Sequence, residues 1–120
     1  MDLVEKKTVD FQFEDDRGSI TQLVHFGYEQ INVLISKERV VRGNHYHKQS
    51  TEMFYIISGS VFVTASYKGI SKEFTFKEGD LFLIKPFVMH YMTFPEDCIM
   101  VQMYDKSIML PDGSKDIYVE

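Results

Sequence analysis

Residues 42–48 read Arg42-Gly43-Asn44-His45-Tyr46-His47-Lys48, and residues 52–63 read Glu52-Met53-Phe54-Tyr55-Ile56-Ile57-Ser58-Gly59-Ser60-Val61-Phe62-Val63. The second segment contains two runs rich in β-branched and aromatic residues, separated by Ser58-Gly59. Glycine accepts the positive φ that a tight turn between antiparallel strands often requires. The segment therefore predicts a β-hairpin.

Two histidines precede this hairpin and are separated by one residue. On an extended chain, the side chains of His45 and His47 point to the same face. Glu52 follows five residues after His47, and His90 lies in a later strand-like segment, residues 84–90. Three imidazoles and one carboxylate form a ligand set that suits Zn, Fe, Mn, Ni or Cu. The same groups could instead transfer protons as acid and base, so the residues alone leave both uses open.

Each member of this set also has a purely structural interpretation. Buried imidazoles need polar partners, and small barrels are otherwise filled by apolar side chains, so we interpret His45 and His47 as functional. Glu52 is either a ligand or a solvated strand residue, and we expect His90 to join the site. His25 has no comparable neighbours in sequence, and a loop position is expected for it.

The strand pattern continues on both sides of the hairpin. Residues 9–13 alternate apolar with polar side chains, residues 14–18 predict a turn, and residues 19–24 and 31–36 predict two further strands. After the hairpin, short apolar runs are separated by turn signals at residues 67–69, 78–80, 85–86 and 95–97. This spacing predicts an all-β double-sheet jelly roll or closed barrel. We expect residues 1–120 to form a single domain with its core at about residues 9–104 and a C-terminal tail at 105–120.

Composition narrows the classes of partner. The net charge of -5 argues against non-specific binding to nucleic acid or to an anionic membrane, because such binding depends on clustered Lys and Arg. The lone Cys98 allows no internal disulfide and is expected to be buried and inert. No signal peptide or transmembrane pattern is visible, so a cytoplasmic protein is expected.

The motifs resemble a known superfamily. His45, His47, Glu52 and Gly59 have the spacing of the first cupin motif, and residues 79–90 are similar to the second. Residues 16–18 and 40–48 are also similar to stretches of the dTDP-4-keto-6-deoxyhexose 3,4-ketoisomerases and the dTDP-sugar 3,5-epimerases, and residues 86–92 are similar to a segment of the ketoisomerases. The resemblance covers roughly residues 13–104 and implies the cupin-type double-stranded β-helix.

This resemblance also implies a function. The implied function is isomerisation or epimerisation of a nucleotide-linked 4-keto-6-deoxysugar, with dTDP as the nucleotide, in polysaccharide or glycan biosynthesis. His45, His47 and His90 would be catalytic, and Arg17 and Arg42 would hold the diphosphate of the sugar nucleotide, which suits guanidinium geometry.

Two alternatives remain open. Ketoisomerases usually carry glutamine at the position of Glu52 and work without a metal, whereas His45, His47, Glu52 and His90 would complete the ligand set of metal-binding cupins. A similar Gly-Asn-His-Tyr-His…Glu stretch occurs in the cupin domain fused to a capsule-sugar reductase, and that likeness implies zinc. The chain could thus be a binding module for a sugar or sugar nucleotide, or a metal-dependent cupin enzyme of other chemistry.

A homodimer is also expected. Open sheets with apolar edges are usually covered by a partner, and the N-terminal strand at residues 9–13 is free to exchange.

Overall fold

The structure is a computed structural model that describes residues 2–119. In this part of the chain every regular element is a β-strand. The strands are β1 (Val4–Lys7), β2 (Phe11–Asp15), β3 (Gly18–Gln22), β4 (Gln30–Ser36), β5 (Val41–His45), β6 (Glu52–Ser58), β7 (Ser60–Tyr67), β8 (Ile70–Lys77), β9 (Leu81–Ile84), β10 (Met89–Thr93) and β11 (Cys98–Tyr104). Within residues 2–119, no helix has the length and apolar character needed to cross a membrane.

The strands form two facing antiparallel sheets and a separate hairpin. The larger sheet has the order β1-β9-β6-β11-β4, and the smaller one has the order β5-β10-β7-β8. Within residues 2–119, strands β2 and β3 pair only with each other. The predicted all-β jelly roll of the cupin type is confirmed.

The main core lies between the two sheets. Side chains alternate along each strand, so Phe54 and Ile56 of β6 point inward against Val61 and Val63 of β7, and all four are fully buried. Phe82 of β9 stacks on Phe54 and on Phe76, with ring centroids 5.2 and 4.0 Å apart.

A second apolar cluster covers the outer face of the larger sheet. Met53 of β6, Leu81 of β9 and Met103 of β11 are buried there against half-buried residues of the segment around the β2–β3 hairpin, including Leu23 and Tyr28. The N-terminal segment therefore folds back over the sheet, although the hairpin itself leaves Phe11 and Phe13 half exposed.

The Ser58-Gly59 turn between β6 and β7 is found as predicted. Gly59 has φ +86°, and a Cβ atom at this position would lie 2.9 Å from Cys98 Cα and still closer to the Asp97 carbonyl oxygen. Only glycine lets the turn pack this closely on the chain that enters β11.

The ends of the chain differ from prediction. The strand predicted at residues 9–13 begins two residues later as β2, because the Asp10 side chain binds His25 and Gln22 outside the sheet. The charged residues at the start of the chain predict either a loose end or an edge strand, and an edge strand, β1, forms there. At residues 117–119 the sequence pattern favours a short strand at most, and the structure has instead an isolated bridge between Tyr118 and Tyr46.

Candidate active site

The two sheets bring the predicted histidines together at one end of the barrel. His90 of β10 is paired directly with His45, the last residue of β5, in the smaller sheet. Glu52 begins β6 of the larger sheet and lies opposite Tyr104, the last residue of β11. His47 follows β5 in the connection to β6. The cluster of His45, His47, Glu52 and His90 is called the histidine cluster below.

A glycine permits the approach of β5 to β10. A Cβ atom on Gly43 would lie 2.9 Å from the His90 carbonyl oxygen, and Gly43 has φ +92°. Asn44, which follows it, also has a positive φ of 66°. The Arg-Gly-Asn turn thus bends β5 so that the next residue, His45, faces the interior.

The ligand atoms of the histidine cluster all lie within 4.8 Å of one another. Glu52 Oε1 is 3.2 Å from His47 Nε2 and 3.1 Å from His90 Nε2. The ring of His45 meets the rings of His47 and His90 edge to face, with centroids 4.8 and 4.9 Å apart. The structure therefore brings together the four residues that the sequence placed in one site.

Two of the rings are oriented by backbone carbonyl groups. His47 Nδ1 lies 2.7 Å from the Asp116 carbonyl oxygen, and His90 Nδ1 lies 3.0 Å from that of Val88. A carbonyl oxygen only accepts hydrogen bonds, so each Nδ1 must carry the proton. In the neutral rings, the lone pair is then on Nε2, the nitrogen that faces Glu52.

Burial and neighbouring charges shift the pKa values of the cluster residues in different directions. His47, Glu52 and His90 are at most 3% exposed, whereas His45 is partly exposed. Burial opposes ionisation of Glu52, but its contacts with the His47 and His90 imidazoles dominate and hold its pKa well below the ordinary range. Burial likewise opposes the charged form of His47, yet Glu52 outweighs it and raises the His47 pKa. Burial, followed by the neighbouring His90 and His47, lowers the pKa of His45 to about 4.

The histidine cluster could hold a metal ion. His90 Nε2 is fully buried and, although it lies close to Glu52, it makes no hydrogen bond with any of the described residues. A buried nitrogen without a partner is costly unless another group binds it. Three imidazole nitrogens and one carboxylate oxygen suit zinc, iron, manganese or nickel. The donors present therefore fit such an ion.

Three further residues complete the site and were missed from the sequence. Gln102 donates to Glu52 Oε2 at 2.6 Å and accepts from Asn32 at 2.9 Å. Tyr104 lies edge-on to His47, with ring centroids 5.4 Å apart. Asp116 is fully buried. Gln102 could have been found from the sequence, because it is a polar residue at an inward-facing position of an otherwise apolar strand. Asp116 lies in a polar tail, where no such pattern distinguishes it.

The two predicted arginines lie outside the histidine cluster. Arg17 is exposed at the turn of the β2–β3 hairpin, where its guanidinium pairs with Asp15 at 2.6 Å. Arg42 of β5 donates from Nε to Ser36 Oγ at 2.7 Å and from Nη2 to the Ile35 carbonyl oxygen at 3.0 Å. Arg42 thus joins β5 to the end of β4.

His25 and Cys98 have their own environments. His25 lies in the loop predicted for it and pairs with Asp10 at 2.5 Å on the surface. Cys98 is buried, and burial, with a smaller contribution from Glu96, raises its pKa to about 11.

Comparison of folds identifies several sugar-nucleotide enzymes. A 3,4-ketoisomerase from Helicobacter canadensis superposes with a TM-score of 0.82 at 16% identity, over 98% of this chain and 90% of the other. QdtA, a sugar 3,4-ketoisomerase from Thermoanaerobacterium thermosaccharolyticum solved with TDP, gives a TM-score of 0.81 at 16% identity, over 98% and 88%. At these identities the likeness establishes the fold.

A longer protein contains a similar domain. The capsular polysaccharide assembling protein CapF from Staphylococcus aureus matches with a TM-score of 0.68 at 22% identity, over 91% of this chain but only 32% of its own. No curated protein matches the sequence significantly. The family model described as the polysaccharide biosynthesis C-terminal domain matches residues 13–109. Because this match covers most of the chain, the protein belongs to the polysaccharide biosynthesis C-terminal domain family.

Proposed function

We propose that the chain is an isomerase or epimerase of a nucleotide-linked 4-keto-6-deoxysugar, with dTDP as the nucleotide. The observation that carries this proposal is the inward cluster of three imidazoles around the buried Glu52 carboxylate. The fold likeness to two 3,4-ketoisomerases, one of them solved with TDP, supports it. A sugar substrate also agrees with the polysaccharide biosynthesis family.

The reaction needs groups that accept and return protons. The ketone at C4 acidifies the hydrogen on C3, so a base can remove that proton and leave an enediolate. Return of the proton to C4, with transfer of the O3 proton to O4, gives the 3-keto isomer. Return to the opposite face of the carbon that lost it gives an epimer.

The three histidines are suited to different parts of this reaction. We assign removal of the carbon-bound proton to His45, because it is the one member of the cluster that is not buried. His47 contacts Glu52 and is assigned to proton donation at the enediolate oxygen. His90 contacts the Val88 carbonyl through Nδ1 and has its Nε2 3.1 Å from Glu52 Oε1, and we assign it to orientation of the other two rings.

Substrate binding is assigned to the two arginines. Arg42 lies on the strand that ends in His45, and its side chain is fixed by Ser36. Arg17 lies at the exposed turn of the separate β2–β3 hairpin, beside Asp15. Guanidinium groups bind phosphate oxygens through paired hydrogen bonds, so we propose that both contact the diphosphate.

Solvent exchange tests this proposal directly. A dTDP-4-keto-6-deoxyhexose incubated with the protein in deuterium oxide should incorporate deuterium, at C4 of a 3-keto isomer or at C3 of an epimer, as followed by proton NMR, because the abstracted proton exchanges with solvent on the base. A sugar nucleotide that binds without incorporating deuterium would contradict an isomerase or epimerase.

Glu52 favours a second candidate, a cupin module that binds a metal and a sugar nucleotide without turnover. His45, His47, Glu52 and His90 would hold the ion, which when bound would supply a Lewis acid for a ketone oxygen. Loss of the Glu52 carboxylate should then lower metal affinity at least about 10- to 100-fold. The metal content of the purified wild-type protein and of Glu52→Gln, together with the deuterium experiment, distinguishes the two candidates. A negligible metal content in both proteins would exclude a metal-binding module.

We also propose a homodimer. Strand β4 is an edge of the larger sheet, and its Ile31, Val33 and Ile35 are each more than 60% exposed. The separate β2–β3 hairpin exposes Phe13 and Ile20 as well. Apolar surface at an open sheet edge is normally covered. In a symmetric dimer, the β2–β3 hairpin of each copy could cover the β4 edge of the other copy.

A further inference from the structure

The C-terminal tail returns to the histidine cluster. After a turn in which the Leu110 amide donates to the Ser114 carbonyl oxygen at 2.8 Å, the chain runs back along the segment that follows β5. The amides of Tyr46 and Tyr118 donate to each other's carbonyl oxygens at 2.9 and 3.0 Å. Their rings stack with centroids 5.6 Å apart, and Lys48 Nζ lies 4.2 Å from the centre of the Tyr118 ring.

Asp116 is the buried residue of this returning segment. Its Oδ1 accepts from the Lys48 amide at 2.8 Å, and its Oδ2 accepts from the amides of Gln49 and Ser50 at 2.9 and 3.0 Å. These three amides form most of the connection between His47 and Glu52. A carboxylate accepts several hydrogen bonds and donates none, so it suits three converging N–H groups better than an amide or a hydroxyl side chain does.

The backbone of the same residue contacts His47. The Asp116 carbonyl oxygen accepts from His47 Nδ1 at 2.7 Å, and this leaves Nε2 directed toward Glu52. The side chain thus fixes the connection, and the carbonyl group fixes the ring. We propose that Asp116 is a positioning residue, which holds His47 in its Nδ1-protonated form with Nε2 toward the centre of the histidine cluster.

Nitrogen NMR of the histidine rings tests this inference. At a pH above the pKa of His47, where its ring is neutral, long-range nitrogen–proton correlations distinguish a protonated Nδ1 from a protonated Nε2. In the wild-type protein we expect His47 to be protonated at Nδ1, with a proton that exchanges slowly with solvent. A wild-type ring protonated at Nε2 would overturn the inference before any variant is made.

The variant Asp116→Asn keeps the volume and the backbone carbonyl group but directs an NH2 group toward amide donors. We expect Nδ1 proton exchange at His47 to become at least about tenfold faster, with part of the ring population moving to the Nε2 form. Asp112→Asn is the matched control, because Asp112 lies in the same tail and accepts only from Ser114. An unchanged His47 ring in folded Asp116→Asn, or an equal change in both variants, would overturn the inference.

The importance of this residue for turnover rests on the proposed function, but the NMR test does not. If the enzyme is active, Asp116→Asn should lower kcat about 10- to 100-fold and leave dTDP affinity within about twofold, since His47 is misplaced while the diphosphate contacts remain. Absence of deuterium incorporation by the wild type would refute the proposed function, and the ring measurements would still decide the role of Asp116.

Discussion

The ion pair between Glu52 and His47 should appear in the pH dependence of stability. The change to make is Glu52→Gln, which keeps the size of the side chain and one acceptor for the Gln102 amide. The variant removes the charge that lies 3.2 Å from His47 Nε2 in a site where both side chains are buried. Hydrogen bonds to charged groups contribute about 1.5–3 kcal/mol, and this range is the loss we expect where both groups are charged in the folded wild type.

The signs of the two pKa shifts define that pH range. The folded-state pKa of Glu52 is lowered, so its contribution is complete above its ordinary value of 4.5 and is lost as the pH falls through the folded value. The folded-state pKa of His47 is raised, so its contribution is complete below its ordinary value of 6.5 and is lost as the pH rises through the folded value. The difference in unfolding free energy between wild type and Glu52→Gln should therefore be largest between these two ordinary values.

Urea unfolding in the presence of a chelator, repeated across the pH range, measures this difference without interference from metal. Above the raised His47 pKa the difference should fall below about 1 kcal/mol, because the glutamine amide can donate to a neutral Nε2. Glu96→Gln is the control, since it removes an exposed carboxylate that accepts from the Ser60 hydroxyl and should change stability by less than about 0.5 kcal/mol. A loss that stays constant with pH, or grows toward alkaline pH, would refute the ion pair.

Three further predictions concern the fold, the chemistry and the assembly. In urea unfolding, Gly59→Ala should lower the unfolding free energy by about 1–3 kcal/mol more than Gly69→Ala does. Both glycines have positive φ, but of the two only Gly59 packs against backbone atoms. Equal losses of stability would contradict this packing. His47→Asn should lower turnover by about two to four orders of magnitude and retain the affinity for dTDP. Arg42→Ala should instead weaken sugar-nucleotide binding, measured by calorimetry, by about 1.5–3 kcal/mol. The opposite pattern would contradict the assigned roles. Light scattering should give the mass of a dimer for the wild type and shift toward the monomer for Val33→Lys, and a monomeric wild type at micromolar concentration would exclude the dimer.

Local pattern was enough to predict the β-fold and to place His45, His47 and Glu52 near one another, whereas His90 was assigned to the cluster through the later motif at residues 79–90. Alternation along an extended chain placed His45 and His47 on one face, and the Ser58-Gly59 turn fixed the start of the meander. Glu52 was assigned two alternatives, and its burial shows that the solvated one was wrong. Each of these inferences depends on residues that are close in sequence, where geometry follows from the chain itself.

Contacts between distant segments could not be predicted in the same way. Gln102 reaches Glu52 because β11 pairs with β6 in a register that only the folded sheet defines. Asp116 is 69 residues from His47, and its buried position depends on the return of the tail. A single acidic or basic residue in a polar stretch carries no signal for such contacts.

The histidine cluster is therefore held by two kinds of constraint. Strand pairing aligns His90 with His45, and Gly43 permits the close approach of the two strands. His47 lies beyond the end of β5, and its ring is oriented by the tail through Asp116. Changes in residues 105–119 can thus alter the geometry of the cluster while the histidine motif stays intact. Because the proposed reaction requires proton carriers placed to within about 1 Å, we expect changes in this tail to alter turnover as well.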